Sequence, residues 1–168
     1  MLTSHELFGF MSPALANEIL NFAYESDKPA YKATMNGVAT ALHVRPVFLE
    51  RQPRAQRHVS MVHVLSRPGL DAVAGGLLRA WLVKKYKQML VDFLNALGIA
   101  NNEGVVDDLP KEVADEKLKA AIDALLTKYP PEVVSVYLNA FDEMNEANWP
   151  NLKAMLKSDA RLQLGAAA

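Results

Sequence analysis

The chain contains no cysteine. That absence excludes disulfides, thiolate catalysis and zinc–cysteine sites together, and it fits a reducing compartment, so the expected location is the cytoplasm. Long apolar runs are missing too. No stretch approaches the roughly 18 uncharged residues that a membrane span requires. The N-terminus, MLTSHELFGF, has no basic segment followed by an apolar one. Neither a secretory signal nor a membrane partner is therefore expected. Glycine and proline are sparse, 8 and 9 of 168 residues, and no tract is low in complexity, so disorder is expected only at the ends.

Histidine is scarce as well. The four present, His5, His43, His58 and His63, never fall three or four apart. His58 and His63 are five apart, which on a helix turns them away from one another, so no metal site is expected. No nucleophile elbow, phosphate loop or dinucleotide fingerprint is present. No catalytic residue and no cofactor is assigned, and the balance falls against an enzyme.

What the chain does have is helical periodicity. Half of it is apolar, 51 %, ample for a core at the length of one domain. A single all-α domain is expected over residues 1–164. The last four, 165–168 (GAAA), read as a disordered tail or an expression remnant. The longest unbroken helical pattern is residues 77–99, LLRAWLVKKYKQMLVDFLNALGI; its period shows no break near Lys85 to Lys87, so a turn there before a helix over about Lys87 to Leu97 and a straight run-through both stay open. Prolines punctuate the chain. Ser12-Pro13 combines a hydroxyl cap with proline at the first helical position, and Pro29, Pro46, Pro53, Pro131 and Pro150 each suit a helix start. Ser66 to Gly69 is a break, and Asn101 to Pro110 is a loop. Apolar stripes recur at helical spacing between these marks, no strand pattern appears, and about eight helices result.

Three glycine positions carry separate expectations. Gly75-Gly76 is a poor choice for an isolated helix, which suggests a close helix crossing. Gly37 is a weak point inside a helix. Gly98 stands where a left-handed C′ residue belongs, with Ile99 folding back on Leu94 in a Schellman cap.

A blurred internal copy is present. Leu82 to Tyr86 (LVKKY) aligns with Leu125 to Tyr129 (LLTKY), and Leu94-Asn95-Ala96 with Leu138-Asn139-Ala140. A period near forty-three is in the range of paired-helix repeats. The expected architecture is an irregular helical bundle, with two HEAT-like helical hairpins as the alternative.

Charge is near balance overall, −1, but unevenly placed. From His43 to Lys87 nine Lys and Arg face two acids, a net +7; from Glu103 to Glu146 eleven acids face four lysines, a net −7. The expectation is that the two regions face one another, within one molecule or across a homodimer.

The segment Arg45 to His58, RPVFLERQPRAQRH, is the first candidate site. Arg51, Arg54 and Arg57 recur in steps of three, which on one helix would share a flank, and arginine suits planar recognition of carboxylate or phosphate. Arg45, Arg51, Arg54, Arg57 and His58, near Trp81, form the candidate ligand set for a small anion. The plainer reading is a solvated or ion-paired face, with His58 at the core edge bonded to a backbone group. Asp107-Asp108 reads first as a cap for a helix after Pro110 and only second as an acid–base pair. Trp81 and Trp149, with Tyr86, Tyr129 and Tyr137, read as core before pocket. The leading expectation is a non-enzymatic interaction or scaffold module whose partner is itself or another protein. A binder or enzyme of a small anionic ligand comes second, and nucleic-acid binding by the basic region is disfavoured.

Overall fold

A computed structural model of the chain describes residues 1–165. The protein is all-α. Ten helices and one short 3-10 turn are present among the described residues, with no strand beyond an isolated bridge between Asn102 and Val105. Residues 166–168, most of the expected tail, lie outside the described residues. The chain divides into two compact units, Leu2–Trp81 and Leu82 onward.

The first unit holds α1 (Ser4–Phe10), α2 (Pro13–Ser26), α3 (Lys28–Ala41), α4 (Pro46–Glu50), α5 (Arg54–Leu65) and most of α6 (Asp71–Lys85). The proline marks work as chemistry suggests. Ser12 accepts from the Leu15 amide at 3.2 Å, and Asp27 accepts from the Ala30 amide at 3.2 Å, each just before a proline in the first turn. Helix α1 is not among the helices expected from the sequence. Its N-terminus is held by a capping box between Thr3 and Glu6, and by a carboxylate far away in the chain: Asp71 accepts from the His5 amide at 3.0 Å and from His5 Nδ1 at 2.9 Å. Burial works against ionisation of Asp71, but these bonds and one from Thr3 outweigh it and hold the carboxyl below its usual range.

At Gly76 the expected close helix crossing is not met. Gly76 lies open, with nothing within 4 Å of where a Cβ would sit. It lines a groove of about 330 Å³ with Ala30, Ala33 and Ala72, and no close crossing needs it. The close approach is at Gly37, where a Cβ would meet Val73 methyl carbons at 2.6 and 2.8 Å. The residue that looked like a weak point in α3 is the one that lets Val73 seat against it.

The second unit contains α7 (Lys87–Ala96), α8 (Asp115–Lys128), α9 (Pro131–Asn145), α10 (Pro150–Ser158) and the 3-10 turn Ala160–Leu162. The long pattern at 77–99 is two helices. Tyr86, at φ −113° and ψ 28°, leaves the helical region and separates α6 from α7. Apolar spacing continues across the junction, so periodicity alone cannot show the break. Gly98 has φ +70°, Ile99 donates to the Leu94 carbonyl at 2.9 Å, and Gly98 donates to the Asn95 carbonyl at 3.0 Å, which completes the Schellman cap.

Helix α9 is the centre of this unit. Every residue from Val133 to Phe141 is buried, as befits a helix surrounded by neighbours on all sides. Its two polar members are satisfied: Ser135 donates to the Leu162 carbonyl, and Asn139 donates to the Ser135 carbonyl at 2.9 Å. Phe93, Tyr137, Phe141 and Trp149 pack with ring centroids 5.4 to 5.9 Å apart, and the Trp149 indole donates to the Pro110 carbonyl at 3.0 Å. The aligned tyrosines of the internal copy both sit at helix junctions, Tyr86 before α7 and Tyr129 after α8. They meet edge-on at 6.4 Å. Asp92 ties the same corner by accepting from Tyr129 Oη at 2.8 Å, Lys128 at 2.7 Å and Gln88 at 2.8 Å.

Candidate functional site

The arginine segment does not fold as one helix. Arg51 ends α4, Gln52 and Pro53 break the chain, and Arg54 opens α5. The three-residue spacing therefore places only Arg54 and Arg57 on a shared flank. That flank faces tyrosine. The Arg54 guanidinium lies 4.7 Å from the Tyr24 ring centroid and 3.5 Å from a Glu25 carboxylate oxygen, and the Arg57 guanidinium lies 6.0 Å from both Tyr24 and Tyr31. Arg45 and Arg51 are exposed on α4 and at its ends. Trp81 is buried core.

His58 is 1 % exposed, and its partner is a side chain rather than the backbone group expected. Tyr31 Oη lies 2.9 Å from His58 Nε2 and receives a bond from Arg57 Nη1 at 3.2 Å. With Arg57 donating to that oxygen, the phenol proton is free to turn to Nε2. The ring proton is then assigned to Nδ1, a buried atom with no hydrogen-bond partner. Arg57 Nε and Gln52 Oε1 are buried and unpartnered in the same way. Burial first, then the charges of Arg57 and Arg54, push the His58 imidazole down to about 4, so it is neutral at physiological pH. Burial raises the Tyr31 phenol, with Arg57 opposing. The cluster joins α2, α3 and α5 through polar groups in a dry setting.

Next to it is a feature the sequence reading passed over. Val44, Val47 and Phe48 are exposed on and just before α4, Phe48 to 56 %, while Leu49 between them and Glu50 is buried and anchors the helix. On α5, which packs against α4, Val59 is 73 % exposed. The turn that delivers this segment is strained. His43 takes φ +56° in a Schellman geometry, its amide donating to the Thr40 carbonyl and the Val44 amide to the Ala39 carbonyl, where glycine is the usual residue. The available signal was the pair Val47-Phe48 between Arg45 and Arg51, in a segment too short to bury both faces.

The acidic region behaves differently from its expectation. Asp107 and Asp108 cap no helix, because α8 begins at Asp115 behind the extended residue Ala114. Both are exposed. No group of three or more His, Asp or Glu among the described residues is arranged to hold a metal ion. Lys87 and Glu103 pair at 3.5 Å, and Lys119 and Arg161 both reach Asp123 at 2.8 Å. No described helix is long and apolar enough to cross a membrane. No family model, curated protein or solved structure matches the chain.

Proposed function

We propose that the protein is a non-enzymatic interaction module that docks a protein segment on the α4 face. The observation that carries the reading is the exposure of Val44, just before α4, and of Val47 and Phe48 on it, with the helix pinned from behind by Leu49. Single exposed apolar residues are ordinary, whereas three within five positions, presented by a strained turn, are the kind of patch that partners cover. Arg45 and Arg51, both exposed, flank Val47 and Phe48 in the chain, with Glu50 the one acid between His43 and His58. The matching occupant is an apolar segment flanked by carboxylates.

The test is selection of displayed peptides on the full chain. Enriched binders carry apolar residues with Asp or Glu on either side, and a Val47→Asp/Phe48→Asp variant of unchanged helix content loses them at least about tenfold. Binders without acidic enrichment, or binders indifferent to that double substitution, overturn the reading.

A small anion held by Arg54 and Arg57 is the second reading. Its support is that α5 starts with two arginines and His58 but no acid in its first turn and no capping side chain. A rise in melting temperature with phosphate that is absent with equal ionic strength of chloride, and lost in Arg54→Gln, is its signature. Equal shifts in both salts refute it.

A further inference from the structure

The chain itself carries a chemical complement to the α4 face. We infer that a second copy of this protein docks there through the turn at residues 102–108, which makes the contact head-to-tail; this rests on the docking reading above. The turn is the chemical complement of the patch. Val105 is 43 % exposed, with Asp107 and Asp108 exposed just after it and Glu103, exposed but shared with Lys87 at 3.5 Å, just before it. On α4 the arrangement is the same with the sign reversed: Val47 and Phe48 lie between Arg45 and Arg51. An apolar tip with carboxylates meets an apolar patch with guanidinium groups.

The turn is also preformed. The amides and carbonyls of Asn102 and Val105 bond reciprocally at 2.8 and 3.0 Å, and Asn101 Oδ1 accepts from the Gly104 amide at 3.0 Å. Glu103 and Gly104 both take positive φ, 52° and 86°, which gives a tight tip. A Cβ at Gly104 would lie 2.7 Å from Leu90 Cβ, so the tip is seated directly on α7. A rigid tip loses little conformational entropy on docking. An isologous contact of α4 with α4 is disfavoured, since it would bring Arg45 and Arg51 against the same arginines of the other copy. The asymmetry of charge along the chain, +7 in one region and −7 in the other, then acts between molecules.

Sedimentation equilibrium on the full chain tests this, with two variants. One disables the patch (Val47→Asp/Phe48→Asp), and the other disables the tip (Val105→Ser/Asp107→Lys/Asp108→Lys). A contact of this size is of the weak class, so concentrations run to about 1 mM. Wild type associates reversibly, and its midpoint moves about tenfold higher between roughly 50 and 500 mM salt. Each variant alone is monomeric. Mixed, they form a one-to-one pair, because the intact tip of one meets the intact patch of the other. Wild type that stays monomeric throughout, or a mixture that forms no pair, overturns the inference. Displayed acidic peptides that still bind at Phe48 in that case leave the docking reading standing, whereas loss of both results removes both.

Discussion

Acidification tests the cluster around His58 directly. In the unfolded chain an imidazole takes up its proton near pH 6.5; in the fold, burial and the adjacent Arg57 and Arg54 hold His58 neutral until about 4. Between those values the unfolded state binds a proton that the native state refuses, so stability falls as pH falls. The slope is about 1.4 kcal/mol per pH unit, and the whole window amounts to about 3 kcal/mol. Native proteins hold only about 5 to 15 kcal/mol, so the loss is readily measured. On a chain of this length it corresponds to roughly 6 to 12 °C in Tm. The assay is urea unfolding of wild type and His58→Gln at half-unit steps from pH 7.5 to 4.0. Glutamine keeps an acceptor for Tyr31 and does not titrate. The stability difference between the two proteins should shrink or reverse by about 3 kcal/mol across the window. In parallel, the His58 Cε1 proton resonance should stay at its neutral position until well below pH 5.5. A difference that is constant with pH, or a His58 resonance titrating near 6.5, refutes the argument that the ring is dry and faces two guanidinium groups.

Other expectations follow from geometry already described. Gly37→Ala should cost about 1 to 3 kcal/mol because Val73, a stiff β-branched residue, must move; Gly76→Ala, with open space at its Cβ, should gain up to about 1 kcal/mol from helix propensity. Thermal unfolding of the two variants decides whether the contrast holds. Asp71→Asn should weaken the start of α1 by about 1 kcal/mol at neutral pH. Because the Asp71 carboxyl is held below its usual range, wild type keeps that contribution above about pH 4 and loses it as pH falls further, while the variant shows a flatter acid limb. Trp149→Phe should remove the bond to Pro110 and cost about 1 kcal/mol, with faster hydrogen exchange in the 99–114 segment as the local sign.

Local chemistry was readable wherever one or two adjacent residues decide the backbone. Ser12-Pro13, Pro46, the break at Ser66 to Gly69 and the Gly98 cap all act within a few residues of themselves. The all-α class follows from the same kind of pattern. What escaped depends on distant partners. Helix α1 is short, and one of its caps, Asp71, is 66 residues away in sequence. The break at Tyr86 keeps the apolar period on both sides, so no pattern marks it. Gly37 and Gly76 are alike in composition and opposite in role, because only one of them has Val73 against it. The arginine spacing misled for a related reason: a step of three has meaning only on a continuous helix, and Pro53 interrupts this one. The exposed α4 residues were invisible as a site because Val and Phe in a short helix read as core until burial is known.

The bond from Ser135 to the Leu162 carbonyl bears on how the chain tolerates cutting and joining. Ser135 lies on the helix buried on all sides, and its hydroxyl has its acceptor in the last 3-10 turn. A polypeptide trimmed after Ser158 would leave that hydroxyl in a dry site without its acceptor and uncover the seat of Leu162. The expected loss is about 1 to 3 kcal/mol from the polar group alone. A fluorophore, affinity handle or second protein attached beyond residue 165 leaves the pin in place. The turn Ala160–Leu162 therefore works as a clasp on the second unit, and it marks where trimming of this protein must stop.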